Sequence, residues 1–220
     1  MKIQLKNPYL SVLLPVGRSI GGSQMWSENK IIRKCGCGPI AAFDLFCYLE
    51  SEVYHSTIPS FITRDDYLLQ MEDVQKRYFP LLYPSGINGF LLVLGLNRMF
   101  HDHRLPFRAK WAASGKRLLY NIRQMLSADI PVILSIGPNF PFFWQKHGVA
   151  FYRAGHIEAQ QNASKIRGHY VTVLSISDEW LTISSWGKKY EISLLEYNEY
   201  VRKHSNYLFS NIVLIKKQAE

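Results

Sequence analysis

Two cysteines lie where a loop leads into a predicted helix, a setting that can activate a thiol. The segment KCGCGP contains Cys35 and Cys37, and an apolar helical pattern starts at Cys37. A thiol at a helix N-terminus feels the positive end of the helix dipole, which lowers its pKa and favours the nucleophilic thiolate. Cys37 has the better position, although by itself it fits a buried loop cysteine equally well. Cys47 lies on the apolar stripe of the helix and is expected to be a core residue.

A histidine far along the chain supplies a candidate base. His169 opens the predicted strand HYVTVLSIS (169–177), and a second strand, WLTISSW (180–186), returns after Asp178 and Glu179. A nucleophile at a helix terminus and a base on a rigid strand can form a Cys-His pair even though they are distant in sequence. A lone histidine in such a strand is more often structural, so the pairing with Cys37 is what favours catalysis.

Four segments carry a family resemblance in an ordered set: CGPIAA (37–42), PVILSI (131–136), GHYVTV (168–173) and SSWG (184–187). Together they resemble the papain-like cysteine peptidase clan, and most closely the bacterial C39-like peptidases, over about residues 37–200. The resemblance implies a papain-like fold with the site in the cleft between two lobes. It also implies that Cys37 is the nucleophile and His169 the general base, and that the reaction passes through a thioester acyl-enzyme.

The resemblance also places the supporting residues, and two positions depart from the family pattern. The family's Asp or Asn before the Trp falls on Ser184, whose hydroxyl can accept from the imidazole but carries no charge. The oxyanion-hole Gln, six residues before the nucleophile in the family, falls on Ile31, so Gln24 and Asn29 are the amides that could replace it. Loss of one oxyanion donor lowers a rate by about 10² to 10³. Trp186 matches the family Trp that shields the histidine, and core packing explains it equally well.

Three functions therefore remain open. A thiol-dependent hydrolase, in particular a peptidase, is favoured. A thiol acyltransferase on the same scaffold would use an amine in place of water, and an inactive papain-like binding protein would fit the two departures. The expected partner is a peptide or acyl substrate in the interlobe cleft, and neither the substrate nor the oligomeric state is predicted. No cofactor is expected, and no metal, because His101 and His103 lack further ligands at recognised spacing.

The elements that must position these residues form an α+β pattern, because helical periodicity dominates the first half and strands the second. We expect one domain over 1–220, with a mostly helical lobe at about 30–128 packed against an antiparallel sheet lobe at 129–220. The expected helices are 37–49, 63–78, 86–100, 114–127 and 193–204. The expected strands are an edge strand at 9–16, then 107–112, 130–137, 169–177, 180–186, a short strand at KYEI and a closing strand at 211–216.

Charge and composition exclude several classes of protein. The net charge is +9, but Lys and Arg are scattered with no run longer than two, and no nucleic-acid-binding motif accompanies them, so no nucleic-acid partner is expected. No apolar stretch approaches the roughly 18 residues of a membrane span, and no signal peptide is recognised, so no membrane partner is expected. Three cysteines do not suggest a disulfide framework, which favours a cytoplasmic location.

Overall fold

The computed structural model describes residues 2–54, 62–112, 114–153 and 165–218, which form an α+β arrangement with antiparallel sheets. The predicted fold class is confirmed at this level. The α-helices are α1 (Lys30–Cys35), α2 (Cys37–Tyr54), α3 (Arg64–Tyr78), α4 (Gly89–Asp102), α5 (Leu118–Ser127) and α6 (Leu194–His204). The strands are β1 (Ile3–Gln4), β2 (Val12–Leu13), β3 (Ile62–Thr63), β4 (Phe107–Trp111), β5 (Val132–Ile136), β6 (Val149–Ala150), β7 (Tyr152–Arg153), β8 (Lys165–Ile166), β9 (His169–Ile176), β10 (Trp180–Ser185), β11 (Lys188–Ser193) and β12 (Val213–Lys217).

Helix α2 crosses the core and carries Cys37 as its first residue. Pro39 is tolerated in the first turn because the N–H that it lacks would have no helical partner there. Almost every side chain from Gly38 to Leu49 is buried. The helix packs against α3 and α4 on one side and against β9 and β5 on the other. A helix enclosed in this way holds its N-terminal residue at a fixed place opposite the sheet.

Strand β9 is the centre of the main sheet. It pairs with β10 along one edge, and its other edge pairs with β5 near the start of the strand and with β1 near the end. The order continues from β10 through β11 to β7. Asp178 and Glu179 form the tip of the β9–β10 hairpin, as predicted, with Ser177 N–H donating to the Trp180 carbonyl at 2.8 Å. His169, the first residue of β9, pairs with Ile136 of β5, and the pairing with β10 begins three residues further along, at Thr172.

Local hydrogen bonds explain where the helices begin. Thr63 caps α3, because its hydroxyl accepts from the Asp66 N–H at 3.2 Å. Helix α4 starts later than predicted because Asn88 is its cap, with the side-chain oxygen accepting from the Leu91 N–H at 2.9 Å. The predicted helix 114–127 opens with a 3-10 turn and becomes α-helical only from Leu118.

The predicted edge strand at 9–16 is wrong in extent, since only Val12–Leu13 is a strand, and it pairs with β3 in parallel. The chain turns directly afterwards, with Leu14 N–H donating to the Gly17 carbonyl at 3.1 Å, so Pro15 lies in a turn. Two further strands pair with partners that are distant in the chain. Strand β1 joins the main sheet, and β4 pairs with β12 in a separate antiparallel pair.

Candidate functional site

One small pocket brings together the predicted nucleophile and the predicted base. Cys37 reaches it from the start of α2, and His169 reaches it from the start of β9. Gln24, Ser184 and Trp186, all proposed from the sequence, line the same pocket. These positions are far apart in the chain, and the packing of α2 against β9 is what joins them.

Cys37 is half-buried at the N-terminus of its helix. Burial raises the pKa of the Cys37 thiol, and hydrogen bonds from the backbone at Tyr170 and Gly38 offset only part of that effect. The expectation that the helix terminus lowers this pKa is therefore wrong. The reason is that the free-energy cost of removing a thiolate from water exceeds the stabilisation that the backbone N–H groups provide. The resting thiol is neutral at pH 7.

His169 is buried, with 7% of its surface exposed. Burial lowers the pKa of the imidazole to about 4, so the ring is neutral at pH 7. Trp186 stacks on the ring, with centroids 4.5 Å apart and planes 20° apart. The Trp186 backbone has a φ of +49°, which turns the chain at the end of β10 and lays the indole over the imidazole. Trp186 thus shields the histidine, as the resemblance implied.

The residue that contacts the far side of the imidazole is Ser185, not Ser184. Ser185 Oγ lies 2.8 Å from His169 Nε2. The Ser184 hydroxyl instead donates to the Ile20 carbonyl at 2.6 Å. Successive side chains of a strand point to opposite faces, so a one-residue difference exchanges the two hydroxyls. The hydroxyl partner of the His169 ring is therefore Ser185 and not Ser184, where the resemblance placed it.

The two candidate oxyanion amides have different surroundings. Gln24 is buried in the pocket, and its Nε2 donates to the Arg33 carbonyl at 3.0 Å. Asn29 is the cap of α1, where its side-chain oxygen accepts from the Ile31 N–H at 2.9 Å, and it is not among the residues that line the pocket. Ile31 itself is exposed on α1. Of the two amides, only Gln24 lines the pocket that contains Cys37.

A buried carboxylate in the pocket was not anticipated from the sequence. Asp44 lies on α2 seven residues after Cys37, which is close to two full turns, and only 2% of its surface is exposed. It accepts from the Tyr67 hydroxyl at 2.7 Å and from the Tyr9 hydroxyl at 3.3 Å. The Gly22 N–H donates to both of its oxygens, at 3.0 and 3.2 Å. A lone Asp in the middle of an apolar helix was the available signal.

Burial raises the pKa of Asp44 to about 6, and its hydrogen bonds from Tyr67, Gly22 and Tyr9 hold that rise in check. The pocket therefore contains a carboxyl group that changes charge near pH 6 beside an imidazole that stays neutral. Its two tyrosine partners keep their protons, since burial and the carboxylate raise the pKa of both hydroxyls.

The remaining cysteines do not enter this chemistry. Cys35 is buried, and its Sγ lies 3.4 Å from the Pro84 carbonyl oxygen. Cys47 packs against the core as predicted, and burial raises the pKa of its thiol. Within the described ranges, no group of three or more His, Cys, Asp or Glu side chains could hold a metal ion.

Comparison with known proteins adds no relatives: no protein-family model and no curated protein matches the chain. In the part of the chain that the structure describes, no helix is both long enough and apolar enough to cross a membrane.

Proposed function

We propose that this protein is a papain-like, thiol-dependent hydrolase, in particular a peptidase, in which Cys37 is the nucleophile and His169 the general base. The observation that supports it is the shared pocket, which is lined by a thiol at a helix N-terminus and by a shielded imidazole at a strand start. The placement of a cysteine at a helix start and a histidine at a strand start agrees with the resemblance of the CGPIAA and GHYVTV segments to the papain-like clan.

The pKa directions define the proton movements of the mechanism. Both partners are neutral at rest, because burial raises the pKa of Cys37 and lowers that of His169. The thiol proton therefore passes to His169 Nδ1 as the sulfur attacks a carbonyl carbon, in the manner of a serine hydrolase. Nε2 carries the other ring proton and donates a hydrogen bond to Ser185 Oγ, 2.8 Å away. The imidazolium returns a proton to the leaving group, and a thioester on Cys37 remains.

Developing negative charge on the substrate oxygen needs fixed donors beside Cys37. The backbone N–H groups around the Cys37 sulfur and the amide of Gln24 are the available donors in this pocket. Donors that are already in place stabilise such an oxyanion without reorganisation. Water then attacks the thioester, with His169 acting as base for a second time, and releases the acid.

The test is formation of an acyl-enzyme with p-nitrophenyl acetate, a generic activated ester. We expect a burst of p-nitrophenolate equal to the enzyme concentration and an acetyl group on Cys37 by peptide mass spectrometry. Cys37→Ser should abolish the burst, and the matched variant Cys47→Ser should retain it. Acetylation of Cys35 or Cys47 in place of Cys37 would exclude the proposal.

The acyltransferase alternative differs only in the acceptor, so the fate of the acetyl group separates the two. A hydrolase is expected to lose the acetyl group in buffer at a rate that added glycinamide does not change. Release that requires glycinamide would favour the transferase. The neutral resting pair and the uncharged Ser185 are the observations that favour an inactive binding protein. That alternative predicts no burst with a folded protein.

A further inference from the structure

The segment Gly21–Gln24 lies directly on the buried carboxylate of α2. Gly22 N–H donates to both oxygens of Asp44, and Gly21 N–H donates to the Leu10 carbonyl at 2.7 Å. Two residues further on, Gln24 lines the same pocket as Cys37. Asp44 of α2 therefore binds the backbone two residues before Gln24, the amide that lines the same pocket as Cys37.

The two glycines show how closely this segment approaches the helix. Gly21 has a φ of +70°, and a Cβ there would collide with Asp44 Oδ2 and Ser184 Oγ. A Cβ on Gly22 would overlap the Tyr67 hydroxyl. Only glycine allows the backbone to come within hydrogen-bond distance of the carboxylate at this point.

We propose that Asp44 is a positioning residue that anchors the Gly21–Gln24 segment, so that Gln24 stands beside Cys37 as the oxyanion donor. The inference rests on the proposed function and explains how a site with Ile31 at the family's glutamine position obtains a side-chain donor. In this role Asp44 acts through the backbone of Gly22.

Anchoring depends on the charge of Asp44. The ionisable groups that face it are Tyr9 from the N-terminal segment, Tyr67 from α3 and Cys47 from its own helix. An ionised carboxylate accepts from both hydroxyls and from Gly22 N–H in charge-assisted hydrogen bonds, whereas the protonated form is uncharged and is a weaker acceptor. The pKa of Asp44 is about 6, so the anchor weakens as the pH falls through that value.

Two reactions of the same thiol separate this role from a general loss of structure. Acylation by p-nitrophenyl acetate creates an oxyanion, whereas alkylation by iodoacetamide displaces iodide and creates none. In both reactions the Cys37 thiol must lose its proton, so the ratio of the two rates cancels the contribution of that deprotonation. Asp44→Asn keeps the shape of the side chain and one acceptor oxygen. We expect it to lower the acylation-to-alkylation ratio at pH 7.5 by about tenfold, which is less than the roughly 10² to 10³ expected for complete loss of a donor.

The dependence on Gln24 is tested by a double-mutant cycle. Gln24→Ala should lower the same ratio, and Asp44→Asn should have little further effect in that background, because the two act in one chain of contacts. Tyr67→Phe is the matched control, since it removes one hydrogen bond to Asp44 and leaves Gly22 in place. Equal slowing of acylation and alkylation in Asp44→Asn, or full additivity with Gln24→Ala, would overturn the proposal.

The anchor itself is measured without any reaction. In ¹H–¹⁵N spectra of the Cys37→Ser protein, the Gly22 amide should titrate with a midpoint near pH 6, and Asp44→Asn should remove that titration. If the chemical shift of the Gly22 amide does not change with pH, the positioning role is overturned, whether or not the protein is an enzyme. If instead Gly22 titrates but no acyl-enzyme forms in wild type, the proposed function fails, and the inference that rests on it fails too.

Discussion

The pH dependence of folding stability tests the two buried ionisable groups of the pocket. Burial raises the pKa of Asp44 from 3.8 to about 6 and lowers that of His169 from 6.5 to about 4. Between pH 4 and 6, folded Asp44 keeps a proton that the unfolded chain has released, so its contribution to stability is lost as the pH rises. His169 excludes a proton that the unfolded chain takes up below pH 6.5, so its contribution is lost as the pH falls.

The two effects are similar in size and opposite in sign. At about 1.36 kcal/mol per pKa unit, each group changes the free energy of unfolding by roughly 2 to 3 kcal/mol between pH 4 and 7. Their sum nearly cancels, so the pocket adds little net pH dependence in wild type. We therefore expect a pH-dependent difference between Asp44→Asn and wild type. The free energy of unfolding of the variant minus that of wild type should be roughly 2 kcal/mol larger at pH 7 than at pH 4.

For His169→Gln the dependence should be reversed, so that its free energy of unfolding rises relative to that of wild type as the pH falls. Urea unfolding of the three proteins at half-unit intervals of pH between 4 and 7 measures both slopes. The reasoning would be refuted if the two variants changed with pH in the same direction, or if neither difference exceeded about 0.5 kcal/mol over that range.

Three shorter predictions concern the surroundings of the imidazole and the glycine contact. Ser185→Ala should slow acylation of Cys37 by about tenfold and Ser184→Ala should leave it within about twofold, as measured by burst kinetics; the reverse order would restore the original assignment. Trp186→Ala should raise the pKa of His169 toward 6.5 in an NMR titration, because burial is what lowers it, and an unchanged value would contradict that cause. Gly22→Ala should lower the free energy of unfolding by about 1 to 3 kcal/mol in urea, because its Cβ would meet a buried tyrosine hydroxyl, and a neutral effect would count against the close approach.

Much of the fold could be predicted from local patterns. The helix at Cys37, the cap at Thr63 and the β9–β10 hairpin follow from periodicity and turn residues, and the structure has all of them. The pairing of strands that are distant in the chain could not be predicted from such local patterns. Strand β1 is only two residues long and is specified by its register against β9, and β4 finds its partner β12 at the far end of the chain.

The sequence motifs identified the segments that form the candidate site, but not every residue that acts in it. Cys37 and His169 line one pocket, but the motif could not decide between Ser184 and Ser185, because the facing side of a strand depends on its register and bulges. The thiol pKa was mispredicted because a sequence shows the helix N-terminus and not the burial that opposes it. Asp44 was missed because its importance comes from Gly22 and Tyr67, which reach it from elsewhere in the fold.

The central claim is that His169 takes the proton of Cys37, and single-turnover acylation by p-nitrophenyl acetate tests it most directly. In His169→Ala, the rate constant for acetylation of Cys37 at pH 7 should fall by about 10² to 10⁴, and added imidazole should restore part of it. The Cys47→Ser variant should keep the wild-type rate. An unchanged rate of Cys37 acetylation in His169→Ala would contradict the account.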